Sequence, residues 1–207
     1  WFSSLIGLMF IPQLYWLKKS RILYMLMTLM MILWTEFKII LKNNFNLNNL
    51  LFYVTLLLFI LMNNFMGLFP YIFTSSSHLI YSLGLSLPMW LGLMFFGLIK
   101  NTNFMFSHLV PQGTPFALMF FMVLIEFLSN IIRPFTLAVR LTANMIAGHL
   151  LLTLLSMFIP SYFLLYLIVL ILQLMLLMLE VLVSLIQSYV FVILMILYLK
   201  ETNYDKI

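Results

Sequence analysis

Three charged residues stand seven apart in an otherwise apolar stretch: Glu126, Arg133 and Arg140. On a helix that interval places them nearly in line along one face. Asn130 and Asn144 follow Glu126 and Arg140 by four residues and flank the same line. A second stripe lies farther along, where Gln173, Glu180 and Gln187 repeat the interval of seven with Ser184 beside them. His149 falls nine residues after Arg140. These residue types suggest proton traffic, because carboxyl and imidazole groups bind and release protons once their surroundings bring them near the working pH. Arginine keeps its charge at any such pH. In a proton path it blocks a hydronium wire and attracts a carboxylate, so it serves as a gate and not as a relay.

Each residue also has a plainer reading. Arg140 could be an internal counter-ion to a carboxylate. Arg133 could snorkel from a tilted helix or pair locally. His149 could be a hydrogen-bonded packing residue. His78 and His108 fall in loops and read as surface residues, while Lys18, Lys19 and Arg21 read as membrane anchors.

The elements that carry the two stripes must sit in lipid. The chain is 65% hydrophobic and 7% charged over 207 residues, against roughly 25% charged in a soluble domain. That leaves too little polar surface to coat a globule in water. The net charge of +5 does not mark a nucleic-acid partner, because the basic residues stand at the ends of apolar runs, where they act as topology signals. No cysteine is present, which excludes disulfide, zinc-thiolate and thiol-redox chemistry. The chain lacks an initiator Met and opens on Trp1 in an apolar run, so a short N-terminal piece is expected to be missing; no cleavable signal is recognisable.

A spanning helix needs about 20 apolar residues. Residues 1–17, 50–70, 79–99, about 115–155 and 162–199 supply five passes, with Thr114 and Pro115 as a capping hydroxyl and first-position proline before the fourth. The run from Ile22 to Trp34 is too short to span and basic at both ends, so it is predicted to lie along one membrane surface. Residues 18–42, Lys100 and the tail with Lys200 and Lys206 are basic, whereas the loops at 71–78 and 156–161 carry no Lys or Arg. Five passes put every basic loop on one side, with the N-terminus opposite and the C-terminus on the positive side. The sequence therefore predicts an all-α polytopic membrane protein over 1–207, one membrane domain of five passes plus one surface helix. Its last two helices form a long antiparallel pair. A run of 38 residues extends roughly 57 Å, nearly twice the hydrocarbon core of about 30 Å, so these helices must tilt, bend or leave the membrane. Pro134 offers one bending point.

The string LAVRLTANMIAGHLLLTLL (137–155) closely resembles the fifth helix of subunit a of the mitochondrial F-type ATP synthase. NNFMGLFPYIFTSSSHL (63–79), HLVPQGTP (108–115), IEFLSNIIRPFTLAVR (125–140) and LEVLVSLIQSYVFVIL (179–194) resemble further segments of that family in the same order. Richness in Met, Phe, Ile, Leu and Asn also resembles mitochondrially encoded arthropod proteins. The resemblance implies a proton-translocating stator subunit of the mitochondrial inner membrane, with its C-terminus in the matrix. It implies two long tilted helices against a rotating ring of c subunits, each bearing a buried carboxyl group, and two offset half-channels that load and unload the ring. The family's essential arginine corresponds to Arg140, with Asn144 beside it and Gln187 as its neighbour on the last helix. His149 and Glu180 correspond to the inlet from the intermembrane space, and Glu126 to the matrix outlet. Asn130, Arg133, Gln173 and Ser184 are accessory candidates; many relatives outside insects carry an uncharged residue at the position of Arg133. Peripheral-stalk subunit b, small membrane subunits, lipid and protons are the implied partners. The family performs ATP chemistry on other subunits, so no catalysis, cofactor or metal is expected.

Across an antiparallel pair the residue numbers at one level add to a constant. Arg140 with Gln187 gives 327 and His149 with Glu180 gives 329, so one register accommodates both. Nine residues nevertheless turn His149 about 180° away from Arg140, so straight helices cannot make both contacts. Two other functions compete. A membrane redox subunit such as a cytochrome b needs paired helix histidines for haem, and the three His lie in separate segments. A secondary transporter needs internal repeats or broken half-helices, which do not stand out.

Overall fold

A computed structural model describes residues 3–9, 18–41, 47–69, 71–100, 102–110, 115–158 and 162–202. Helices account for every long element: α1 Ser3–Met9, α2 Arg21–Leu41, α3 Leu47–Leu68, α4 Leu79–Lys100, α5 Thr102–His108, α6 Phe116–Met157 and α7 Phe163–Thr202, with a 3₁₀ turn at Ser75–Ser77 between α3 and α4. Lipid accounts for this uniformity, since backbone groups that cannot reach water must be satisfied within their own segment. Hydroxyls follow the same rule. Thr142 donates to the carbonyls of Ala138 and Val139 at 3.3 and 3.0 Å, Thr136 to Arg133 at 2.9 Å and Ser188 to Leu185 at 2.7 Å.

Among the described residues five helices are long and apolar enough to cross a membrane, namely α2, α3, α4, α6 and α7. The number agrees with the five passes predicted, but one member differs. The short run that ended at Trp34 continues as helix through Thr35, Glu36 and Lys38 to Leu41, because no proline or glycine stops it. Its added turns bring Phe37 and Leu41 into the core, and length no longer excludes a crossing. Of the first predicted pass, α1 is described and packs on α3, where Gly7 lies against Met62; residues 10–17 fall outside the described residues. The start of α6 is also shifted. Pro115 occupies the N-cap position with extended geometry and Phe116 opens the helix, while Thr114 lies outside the described residues.

The packing is lopsided. Half of an 18-residue stretch of α3 is buried, against 6% for α6 and 11% for α7. Helix α3 is the central post, touching α1, α2 and α7. The core joins Leu50, Leu57 and Ile60 of α3 to Phe37 of α2, Leu137 and Leu141 of α6, and Val192, Met195 and Ile196 of α7. Helices α6 and α7, of 42 and 40 residues, extend about 63 and 60 Å and leave most of their surface unpartnered. Proline lies within two helices, Pro88 in α4 and the buried Pro134 in α6, and each removes one backbone donor.

Helix α2 docks on α7 by a polar contact as well as an apolar one. The Tyr189 hydroxyl donates to Glu36 Oε2 at 3.0 Å, and the Phe37 and Tyr189 rings stack at 6.5 Å. Basic residues stand at both ends of α2, as Lys18, Lys19, Arg21 and Lys38. The charge rule then favours both ends on one side. Cysteines introduced at Ser20 and Lys38, both exposed, are expected to react with a membrane-impermeant maleimide from the side that also labels position 200. Labelling of the two ends from opposite sides would make α2 a true crossing.

Candidate functional site

Contacts between α6 and α7 descend in one and rise in the other, so the pair is antiparallel. Gly148 meets Glu180 near one end, and Arg133 meets Glu201 near the other. Numbers at the first contact add to 328, between the two values read from the sequence. The level was therefore right, but the facing residue is Gly148. A Cβ at position 148 would stand 2.7 Å from Glu180 Oε1 and 2.8 Å from its carboxyl carbon, so glycine is what admits the carboxylate to the seam.

Glu180 is buried, and neither carboxylate oxygen has a hydrogen-bond partner among the described residues. It lines a cavity of about 180 Å³ with Asn144, Gly148 and Leu68. His149 faces another way. It lines a more open cavity of about 390 Å³ with Gly67, Tyr71, Thr74 and Ser77, on the side of the 3₁₀ turn. Its Nε2 is likewise buried without a partner. The structure thus sets His149 and Glu180 at one level but in adjoining cavities, and no hydrogen bond joins them.

More orphaned polar atoms gather at this end. Both amide atoms of Asn64, Ser76 Oγ and Ser86 Oγ are buried without partners among the described residues, although Asn63 Nδ2 donates to Tyr81 at 2.8 Å nearby in sequence. Asn64 precedes Leu68 by one helical turn and so shares its face of α3. An unpaired buried polar group costs about 1–3 kcal/mol, and native folds hold only a few of them. Their concentration beside the loop without basic residues marks a polar interior that packing alone does not explain.

The opposite end holds a third cavity, of about 240 Å³, between α4, α5, α6 and α7. Glu126, Asn130 and Arg133 all line it, so the structure unites three of the predicted residues there. Arg133 Nη1 donates to Glu201 Oε2 at 2.9 Å, and its guanidinium lies 5.4 Å from the centre of the Tyr198 ring. Local pairing, one of the two plainer readings of Arg133, is what the side chain does. Glu201 and Tyr198 were not among the predicted site residues. Glu201 follows Glu180 by three intervals of seven, so it continues the α7 stripe. The apolar run ends at Leu199, so hydropathy gives no sign of it, whereas α7 reaches Thr202.

Between the two cavities Arg140 is exposed, with no ion pair or hydrogen bond to the described residues. The internal counter-ion expected of a structural arginine is not among them. Thr136, Ala143 and Ala147, one turn before and one and two turns after it, are exposed and small. Larger exposed residues, Phe135, Val139, Ile146 and Leu150, border this strip. On α7, Gln173 and Gln187 are half-buried on the same face as buried Glu180, and Ser184 returns its hydroxyl to Val181 at 2.7 Å. His78 is exposed and stacks on Phe73 at 4.9 Å. The side chain of His108 lies outside the described residues.

Comparison with known proteins adds a family to this geometry. A family profile described as ATP synthase A chain matches residues 1–200. The chain is similar to ATP synthase subunit a of Drosophila melanogaster, at 54% identity over 98% of this chain and 91% of the relative. It is similar to that of Locusta migratoria at 54% over 97% and 90%, and to that of Aedes aegypti at 53% over 98% and 91%.

The contact of Gly148 with Glu180 gives a direct test. Gly148→Ala must push the carboxylate aside, since the obstructing atoms are the end of a flexible side chain and not backbone. Proton flux is expected to fall severalfold while the complex still assembles. Adding Glu180→Asp, one methylene shorter, should return part of it. Unchanged flux in Gly148→Ala complexes would show that the close approach has no functional weight.

Proposed function

The chain belongs to the ATP synthase subunit a family, and from that premise we propose that its α6–α7 pair carries two offset half-channels separated by Arg140. Subunit a is the proton-translocating stator subunit of the membrane sector and performs no ATP chemistry itself. The observation that carries the finer proposal is the arrangement along α6: a carboxylate-bearing cavity near each end, and an outward, uncompensated cation between them.

The cavity with Glu180 and Asn144, together with the neighbouring one at His149, is the inlet from the intermembrane space. Its orphaned polar atoms are suited to water, which needs several polar partners to be held in a protein interior. The cavity with Glu126, Asn130 and Arg133 is the outlet to the matrix, because it lies at the end near Lys100 and Lys200, the side assigned by the charge rule. Gln187 lies near the level of Arg140 on the facing helix, while Ser184 and Gln173 extend the polar stripe of α7. In this topology α2 lies on the matrix surface, the C-terminus is in the matrix and the membrane is the mitochondrial inner membrane.

Arg140 faces the partner. A cation at the centre of a membrane helix costs about 2.5–3.5 kcal/mol on insertion scales, and a carboxylate supplied by a ring of c subunits would offset that cost. The small residues Thr136, Ala143 and Ala147 around it let a partner helix approach closely. A ring carboxylate would release its proton towards Glu126, pass Arg140 as an anion and be reprotonated from the Glu180 side. Peripheral-stalk subunit b and small membrane subunits would hold the stator in place.

One proton crossing the potential releases about 2.3 kcal/mol per 100 mV, and a continuous water path would dissipate it. We therefore expect Arg140→Ala to abolish proton-driven ATP synthesis in assembled complexes and to raise passive proton flux through membrane sectors under an imposed potential. Glu126→Gln should slow release to the matrix by roughly tenfold or more without opening a leak, in line with the loss of a positioned proton-transfer group. Substantial coupled synthesis by Arg140→Ala complexes would rule out the separator.

A further inference from the structure

Arg133 is a second permanent cation beside the proposed outlet, seven residues from Glu126 and seven from Arg140. Left bare, it would repel protons leaving through the cavity it lines. It is not bare. Glu201 accepts its hydrogen bond at 2.9 Å, and the Tyr198 ring lies against the guanidinium, so the charge is both matched and held in place. The two side chains are 33% and 50% exposed. A pair this accessible adds little to stability, so anchoring the end of α7 is a poor account of it. What the pair does supply is a stretch of wall whose two charges cancel, in a cavity lined also by Glu126, Asn130 and Thr202 and by apolar residues such as Trp90, Leu93 and Phe127.

Resting on the outlet assigned above, we propose that Glu201 cancels the charge of Arg133, so that Arg140 is the one uncompensated cation met along α6 by a departing proton. Glu201 is then a positioning and neutralising residue and not a proton carrier. Arg133 is likewise no part of the gate. Function depends on the sum of the two charges more than on either group.

The test is a charge cycle in proteoliposomes that hold the intact complex, with proton flux driven by an imposed potential and ATP synthesis measured in parallel. Glu201→Gln exposes the Arg133 charge and should lower flux by roughly tenfold, the low end of what a single-sign cleft does to an ion's passage. Arg133→Gln combined with Glu201→Gln removes both charges, keeps the wall polar and should restore at least half of the lost rate. A double variant as slow as Glu201→Gln alone would overturn the proposal and make Glu201 a carrier of the proton itself. Unaltered flux in Glu201→Gln would also overturn it. Should that single variant fail to assemble, the double variant decides: flux near that of the native chain supports charge cancellation, and loss of assembly or of flux contradicts it. Glu126→Gln, run alongside, separates the two levels. If it leaves flux unchanged, the outlet itself is misplaced, whatever the pair does.

Discussion

A guanidinium that cannot shed its charge, set on an outward face of a protein dissolved in lipid, is the constraint from which the rest of the structure follows. Arg140 is costly wherever it meets hydrocarbon, and no described group inside the chain answers it. In the proposed function the answer comes from outside, which requires one face of α6 and α7 to be kept free. That accounts for the lopsided packing. Helix α3 is surrounded, whereas 18-residue stretches of the two longest helices are only 6% and 11% buried. The small side chains at Thr136, Ala143 and Ala147 suit the close helix contact that this proposal requires.

On the proposed reading, the free face would be of little use if the polar groups on either side of Arg140 communicated. Beside the middle of α6, packing is tight, with Leu137, Ala138 and Leu141 buried against the core of α3 and α7. Among the described residues, cavities with polar lining lie towards the ends, around Glu126 and around Gly148. In the proposed mechanism this dense apolar middle would keep water from forming one continuous file, and Arg140 would close by charge what Leu137 and Leu141 close by volume.

Much of this was legible in the sequence, and the limits of that legibility are physical. Composition alone required lipid, the spacing of apolar runs gave four of the five candidate spans, and the interval of seven aligned Glu126 with Arg133 and Gln173 with Glu180. Periodicity gives height along a helix and only roughly gives direction. The constant-sum register found the level of Glu180 within one residue, but one residue is a rotation of 100°, and that rotation decides whether His149 or Gly148 meets the carboxylate. Helix ends were the other weakness. Stopping α2 at Trp34 and the last helix at Leu199 followed hydropathy, which falls at charged residues, whereas helices continue until a breaker or an exhausted cap ends them. Phe37, Leu41 and Glu201 were lost to the same cause. Gly148 gave no signal at all, because the value of a missing Cβ depends on what approaches it.

The length of the two helices then has a meaning beyond the need to fit. Glu126 and Gly148 are 22 residues apart, about 33 Å along α6. Were α6 upright, the two cavities would be stacked one above the other, across the whole of a hydrocarbon layer of about 30 Å. A single ring position would then face both, and a proton could pass from one to the other without moving the ring. A straight helix of about 63 Å held within that layer instead lies roughly 60° from the membrane normal. At that angle the same 33 Å separates into a depth of roughly 16 Å and a sideways displacement of roughly 29 Å. Each cavity would then need to reach only part of the way through the membrane, and the two would face different positions on the circumference of the proposed ring. An anion passing Arg140 would have to travel sideways. In the proposed mechanism, a tilt of this kind would convert a path across the membrane into motion along it.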